Sequence, residues 1–266
     1  MQPYFYIGSI EFESYYFFNS LALYAAILIN LTLFRERKRE SRHMTTIFSR
    51  MKRVQYGWPV FLVEVFLISY AQNGLGGLCN GQYANLVQGG GGNYFGLLFF
   101  GAPVFLIFLM IFAVDPIKQF DWCTPAYAMS LVFFKLACLL HGCCQGKPWE
   151  HGIYFYIWED RLIPSQLLEM VVALAMFIYL LYRLHKPYTL GTMFPIHMII
   201  YSVTRFFTEF TREADFIYWG LCSYQIQCLV GILVGLVEYF LALKFGQSVS
   251  DWFEKKNCQN LVETNK

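Results

Sequence analysis

Charged residues are scarce in this chain. They make up 14% of its 266 residues, whereas soluble domains contain roughly a quarter. Hydrophobic residues make up 57%, and the mean hydropathy is +0.42. This composition excludes an ordinary water-soluble fold and indicates a protein of the lipid bilayer.

Three further features are missing. The formal net charge is only +2, too small an excess to indicate a nucleic-acid partner. The eight cysteines have no regular spacing, which excludes a disulfide scaffold. The first residues carry Glu11 and Glu13 where a signal peptide carries positive charge. We therefore expect no cleavable signal peptide and a first hydrophobic helix that directs its own insertion.

What the chain does have is seven apolar stretches, each close to the roughly 20 residues that one helical bilayer crossing requires. They lie at 17–34, 54–71, 93–114, 122–140, 166–183, 189–210 and 220–243. The sequence therefore predicts an all-α polytopic membrane protein with seven transmembrane helices.

Basic residues set the predicted orientation. Eight lysines and arginines lie within 35–53, between the first two stretches, and such clusters stay in the cytoplasm. Alternating connections then place fifteen of the twenty basic residues in the cytoplasm and three outside, namely Lys147, Arg161 and Arg212. We expect one transmembrane domain over 1–266, with its N-terminus outside and a cytoplasmic tail at 245–266.

Several ionisable residues interrupt the apolar stretches, and each costs at least about 2.5 kcal/mol to insert into hydrocarbon. They are Glu64, Lys135, Glu169, Arg205 and Glu209. Arg205 and Glu209 are four residues apart and share a helix face. Two interpretations fit: buried ion pairs that satisfy one another, or a functional site in the outer half of the bundle.

Two connecting segments are unusual. Glycine runs at 74–77 and 89–92 flank an external loop, which is either an anion-binding nest or a flexible connection. In a second external loop, Cys143 and Cys144 lie between two histidines and suggest zinc. Their spacing does not match C-x2-C, so we expect no metal ligands and two cysteines that pack or cap a tight turn. A disulfide with Cys79 stays open.

Four motifs follow one another in the second half of the chain. The first is LACLLHGCCQGKPWEHGIYF at 136–155, and the others are IPSQLLE at 163–169, GTMFPIHMIIYSVTRFFTEFTRE at 191–213 and YQIQCLVGILVG at 224–235. These motifs resemble those of the phosphatidylglycerol–prolipoprotein diacylglyceryl transferases of bacteria, and the first is similar to the variant of the family signature that ends in G-C-C-x-G-x-P. Order and spacing agree with the family over about 90 to 240.

The resemblance implies a transferase that moves diacylglyceryl from phosphatidylglycerol to the lipobox cysteine thiol of prolipoproteins, forming a thioether and releasing glycerol phosphate. It implies a multi-pass protein of the bacterial cytoplasmic membrane. Its partners would be the bilayer, phosphatidylglycerol and the signal-peptide region of prolipoproteins, with no nucleic acid and no cofactor.

The resemblance also implies a site. Arg205 would grip the lipid phosphate with help from Lys135, and Glu209 would orient Arg205. Deprotonation of the acceptor thiol would fall to His141 or Tyr94. Positional matches add four further residues to the substrate-binding set: Gly142, Gly146, Gln166 and Glu169.

The chain departs from the family pattern at five positions. Where the family typically has an arginine, this chain has Lys135. The signature asparagine is replaced by Cys138 and the signature glutamate by Cys143. Tyr94 is the closest match to the essential histidine of H-G-G-L, and Ile163 replaces the histidine before Pro-Ser-Gln. The alternative function is a lipid-binding relative that lacks catalysis or uses another substrate. A transporter is a further alternative, although we find no pair of similar halves.

Overall fold

The computed structural model describes residues 4–8, 10–15, 17–22, 24–26, 28–29, 102–111, 115–213 and 217–263. Predictions that concern Tyr94, Glu64, Cys79, the helix at 54–71 and both glycine runs lie outside these ranges. The described chain is mostly helical and also contains three antiparallel two-stranded hairpins. The all-α prediction is therefore incomplete, because hydropathy identifies apolar helices and not hydrogen-bonded loops.

Six helices and three hairpins make up the described elements. The helices are α1 (Phe17–Ala26), α2 (Ala102–Ile111), α3 (Pro116–His141), α4 (Ser165–Leu184), α5 (Met193–Thr208) and α6 (Ser223–Glu263). The hairpins pair β1 (Tyr4–Ile7) with β2 (Ile10–Glu13), β3 (Pro148–Phe155) with β4 (Asp160–Leu162), and β5 (Ile217–Tyr218) with β6 (Leu221–Cys222). Among the described residues, α3, α4 and α6 are long and apolar enough to cross a bilayer.

The described residues fall into two compact units. The first takes in those of 1–34 and 120–246, and the second those of 35–119 and 247–266. In the second unit, Asp115 caps α3 by accepting hydrogen bonds from the backbone amides of Ile117 and Lys118. Ser250 donates to the same carboxylate at 2.5 Å, which ties the end of α6 to this cap.

In the first unit, α3 also fixes the start of α5. The buried Asp121 carboxylate accepts hydrogen bonds from the backbone amides of Gly191, at 2.6 Å, and Met193, at 3.0 Å. These amides have no partner within the helix, and a carboxylate also complements the positive end of the helix dipole. This contact anchors α5 to α3, the helix that carries Lys135.

Helix bounds differ from the predicted ones by four residues or more at three places among the described helices α3 to α6, the first being α3, which is predicted from 122 and begins at Pro116. The sequence predicts a helix from 189, but α5 begins at Met193, because Gly191 has φ +84° and the chain turns there. The last helix is predicted to end at 243, but α6 continues to Glu263. Hydropathy marks only the apolar part of a helix, and no proline interrupts α6 after that part.

Candidate active site

Five buried charged side chains form one cluster in the first unit, here called the ion cluster: Lys135, Glu169, Arg205, Glu209 and Arg212. Glu169 of α4 is its centre. Its carboxylate pairs with Lys135 Nζ, with Arg205 Nη1 at 2.6 Å and with Arg212 Nη2 at 2.8 Å. Glu209 Oε1 pairs with Arg205 Nη2 and lies 3.9 Å from Arg212 Nη1. Four of the five ionisable residues of the apolar stretches therefore meet as buried ion pairs, which both interpretations of the sequence allow, and the fifth, Glu64, lies outside the described residues.

Three cations against two carboxylates leave the ion cluster with an excess positive charge. Neutral groups complete it: the Thr208 hydroxyl donates to Glu169 Oε1 at 3.1 Å, and the Arg205 guanidinium lies 5.2 Å from the centre of the Tyr224 ring. Charges removed from water are stabilised only by such close pairing. The residual positive charge suits the cluster to an anion.

Arg212 is the member of the ion cluster that sequence reasoning misses. We counted it as an external basic residue, but it is buried against Glu169. A signal was present, because Arg212 follows Glu209 by three residues and Arg205 by seven, which places all three on one helix face. The chain keeps a helical course there, since a 3-10 turn over Glu209–Thr211 continues directly from α5.

The segment after α3 is held in place by two glycines of the resemblance motif. Gly142 ends α3 with φ +80°, a left-handed conformation that favours glycine. Gly146 passes so close to its neighbours that an added Cβ would lie 2.6 Å from the Thr211 carbonyl oxygen and 2.7 Å from Ile163 Cβ. The backbone conformation at Gly142 and the close packing at Gly146 each require a glycine. Direct contact of either glycine with substrate stays a prediction.

Backbone hydrogen bonds complete this arrangement. The Gly146 amide donates to the Ile163 carbonyl at 2.8 Å, and the Lys147 amide donates to the Thr211 carbonyl at 2.7 Å. The segment is therefore fastened both to the start of α4 and to the end of the α5 turn. Beyond it the β3–β4 hairpin packs on α3 through Leu139, Phe155 and Leu162.

Three cysteine thiols meet at the end of α3. The sulfur atoms of Cys138, Cys143 and Cys144 all lie within 4.8 Å of one another. Hydrogen bonds from the Cys138 and Cys143 thiols lower the pKa of the Cys144 thiol well below its ordinary value. Gln166 Nε2 of α4 donates to the Cys143 carbonyl at 2.5 Å, so this predicted substrate-binding residue supports the thiols.

Of the two candidate bases, the structure describes His141. His141 is the last residue of α3, and its ring lies 5.4 Å from the ring of Tyr15. It is half-buried, one turn after Cys138. Tyr94 lies outside the described residues. A catalytic role for His141, Tyr94 or Glu209 stays a prediction.

Comparison with known proteins gives one family. The sequence model described as "Prolipoprotein diacylglyceryl transferase" matches residues 2–241. Phosphatidylglycerol–prolipoprotein diacylglyceryl transferase 2 of Clostridium perfringens (strain 13 / Type A) is 31% identical over 122 residues, which cover 43% of this chain and 48% of that protein.

Two further relatives carry the name phosphatidylglycerol–prolipoprotein diacylglyceryl transferase. The one from Clostridium tetani is 30% identical over 37% of this chain and 42% of its own length. The one from Campylobacter hominis is 32% identical over 61% of this chain and 62% of its own length. The chain thus spans less than two thirds of each of these relatives. Because the family model covers most of the chain, this helical membrane protein belongs to the prolipoprotein diacylglyceryl transferase family.

Proposed function

We propose that the protein transfers diacylglyceryl from phosphatidylglycerol to the lipobox cysteine thiol of prolipoproteins. The observation that carries the proposal is the ion cluster, a buried group with excess positive charge whose members, apart from Lys135, lie in the motifs that resemble the family. Relatives with 25% to 32% identity bear the name of this activity.

The lipid phosphate is the anion that this cluster fits. Arg205 offers a planar fork for two phosphate oxygens, and Lys135 offers a point charge. In the described structure both cations contact Glu169. A bound phosphate would therefore share them with that carboxylate, while Glu209 holds the Arg205 fork in place.

The reaction joins sulfur to the glyceryl carbon that carries the phosphate ester. The acceptor thiol loses its proton, its sulfur attacks that carbon, the C–O bond breaks, and glycerol phosphate leaves with the bonding electrons. Negative charge grows on the phosphate as it leaves, and nearby cations stabilise this charge best when water is excluded. Arg205, Lys135 and Arg212 supply them. His141 and Tyr94 are the groups we assign to the proton transfer.

The proposed setting is the bacterial cytoplasmic membrane, crossed by seven helices with the N-terminus outside. This topology puts Lys135, Arg205 and the following segments toward the outer leaflet. Phosphatidylglycerol and the signal-peptide region of a prolipoprotein would both enter sideways from the bilayer. A bundle of helices open to lipid permits such entry.

Complementation tests the proposal directly. The chain is expressed in a bacterium depleted of its own transferase, and mass spectrometry of a lipoprotein reports the modified cysteine. Arg205→Ala should lower transfer at least about 100-fold, as loss of a charge-stabilising donor does in other active sites. Arg161→Ala is the matched control, because Arg161 is exposed on the β3–β4 hairpin, and its effect should stay within about twofold.

Failure of the well-expressed, membrane-inserted protein to modify the lipoprotein would contradict the proposal. If the purified protein then still bound phosphatidylglycerol through Arg205, the alternative of a non-catalytic lipid-binding relative would hold. Equal transfer by Arg205→Ala and the unaltered protein would locate the phosphate site elsewhere.

A further inference from the structure

The three thiols at the end of α3 form a group that the transfer reaction, as described so far, does not use. Cys138 is buried, Cys143 is half-buried and Cys144 is exposed, so one side of the group is open. Cys138 and Cys143 are also positions where the chain departs from the family signature. Cys138 and Cys143, which replace signature residues of the family, therefore bring their thiols together in space.

The backbone that presents these thiols is well defined. The amides of Gly142 and Cys143 both donate to the Cys138 carbonyl, at 3.0 and 3.1 Å. Cys144 has φ +61°, an uncommon conformation for a residue with a side chain, which turns the chain after Cys143. Gln166 holds the Cys143 carbonyl from the neighbouring helix. The group is thus supported from α3, α4 and the turn between them.

Three cysteine sulfurs with one open side match the ligand set of a catalytic zinc site. Catalytic zinc sites have three protein ligands and a fourth position for water or substrate. Sulfur ligands at about 2.3 Å from zinc lie about 3.8 Å apart in a tetrahedron. Since the sulfurs already lie within 4.8 Å of one another, closing around one ion needs movements of about 1 Å at most.

The surroundings compensate the charge of such a site. Three thiolates and one zinc ion carry a net negative charge, and the cations Lys135 and Arg212 both act electrostatically on Cys144. Gln166 and Glu169 lie one turn apart on α4, the first supporting the thiol group and the second at the centre of the ion cluster. The thiol group and the ion cluster are therefore neighbours.

We propose that Cys138, Cys143 and Cys144 bind a zinc ion whose fourth position takes the acceptor cysteine thiol of the prolipoprotein. The proposal rests on the transferase function above and adds, beside His141 and Tyr94, a second means of activating the acceptor thiol: coordination of its sulfur to zinc. It replaces the expectation of no metal ligands, which rests on the spacing of Cys143 and Cys144 between two histidines and leaves Cys138 out.

The acceptor thiol binds zinc and loses its proton to water, because a coordinated thiol is deprotonated. The sulfur then attacks the glyceryl carbon, the C–O bond to the phosphate breaks, and glycerol phosphate leaves. The thioether product has no thiolate charge and dissociates from zinc. Nothing is oxidised or reduced, and the zinc ion is not consumed.

Metal binding is tested without reference to activity. Protein purified metal-free in detergent with a reductant is titrated with Zn²⁺ and, as a spectroscopic probe, with Co²⁺. We expect about one ion per chain and a thiolate-rich tetrahedral Co²⁺ spectrum. Cys138→Ser, Cys143→Ser and Cys144→Ser should each lose at least about tenfold in affinity, since even loss of an outer-shell partner costs that much. Cys123→Ser, in the same helix, should bind like the unaltered protein.

The fourth position is tested with peptides. A lipobox peptide with cysteine should strengthen the thiolate-to-cobalt absorption, and the same peptide with serine should not. Cys144→Ser changes an exposed side chain, and retained phosphatidylglycerol binding shows that each variant is folded. Equal metal binding by the triple serine variant would overturn the proposal. So would a disulfide among the three cysteines in protein alkylated at lysis.

The outcomes separate this proposal from the transferase function. Transfer that survives chelation and all three serine substitutions would overturn the zinc site and leave the transferase intact. Zinc and cysteine-peptide binding without transfer in the complementation assay would support the site and contradict the transferase. Loss of transfer on chelation, with recovery on adding Zn²⁺, would support both.

Discussion

At the scale of single residues, Glu169 has the largest share of contacts in the ion cluster. One carboxylate pairs with a lysine and two arginines, and Thr208 donates a further hydrogen bond to it. All these side chains are buried, so each cation depends on this partner where water is scarce. Glu169, an anion itself, therefore holds together the three cations that we propose as phosphate-binding groups.

Replacing Glu169 by glutamine should destabilise the protein more than any other single change in the ion cluster. It leaves three buried cations with one remaining carboxylate, and a broken buried pair costs about 3 to 5 kcal/mol. Thermal unfolding in detergent measures the loss. Glu150→Gln, on the exposed part of β3, is the control and should unfold like the original protein. Equal unfolding of the two variants would mean that the ion cluster does not stabilise the fold.

Lys135→Arg is expected to strengthen lipid binding. A guanidinium can donate a second charge-assisted hydrogen bond to phosphate, and about 1.5 kcal/mol corresponds to a roughly tenfold gain in affinity. Binding of labelled phosphatidylglycerol to purified protein measures it, with the exposed Lys186→Arg as control. Unchanged affinity would argue that Lys135 does not touch the phosphate. Combining Lys135→Arg with Tyr94→His in the complementation assay then reports whether the family histidine adds to transfer.

At the scale of elements, the turn after α3 connects the ion cluster with the thiols. Gly142 ends the helix, Gly146 fits against the Thr211 carbonyl, and the β3–β4 hairpin begins directly after it. The G-C-C-x-G-x-P pattern is thus explained by backbone shape: a left-handed helix end, two thiols, a close approach, and a proline that opens a strand. A change in the turn should disturb both sites at once.

Gly146→Ala should be destabilising by about 2 to 3 kcal/mol, because its Cβ would meet the Thr211 oxygen at 2.6 Å and the backbone must shift. Gly220→Ala is a useful comparison. Gly220 has φ +80° and no atom within 4 Å of the added Cβ, so only the backbone strain of about 1 kcal/mol applies. Thermal unfolding of both variants in detergent measures the difference. A smaller effect at Gly146 than at Gly220 would contradict this packing.

At the scale of the whole molecule, the apolar helices indicate a membrane setting. Of the described helices, α3, α4 and α6 have the length and composition to span it, and the family match covers α3 and α4 and ends within α6, at residue 241. Many large apolar side chains of α4 and α6 are exposed, among them Ile178, Leu233 and Phe240. In water such surfaces would aggregate, but in a bilayer they face lipid.

The proposed orientation predicts where cysteine reagents react. A membrane-impermeant reagent added to intact cells together with a zinc chelator should label Cys143 and Cys144 and should not label Cys258 until the membrane is opened. The basic residues at 35–53 are the reason, because they hold that connection in the cytoplasm. Labelling is measured in two variants, one that retains only the Cys143–Cys144 pair and one that retains only Cys258, so that each signal comes from one site. Labelling of both sites from the same side would contradict the seven-helix topology.

The sequence by itself determined the membrane setting, the bounds of α4 within a residue and the identity of four ion-cluster residues. Hydropathy is summed over neighbouring residues, and a charge in an apolar stretch is visible without knowing its partner. Spacing places Arg212 on the face of Arg205 and Glu209, but only the tertiary structure brings it to Glu169, because that pairing depends on how α4 and the α5 turn pack. Cys138 meets Cys143 and Cys144 through the left-handed backbone of Gly142 and Cys144, which the spacing of the cysteines does not show. Hydrogen bonds from the Gly146 and Lys147 amides to distant backbone carbonyls fix the turn after α3 against α4 and the α5 turn. These bonds form only once the chain has folded.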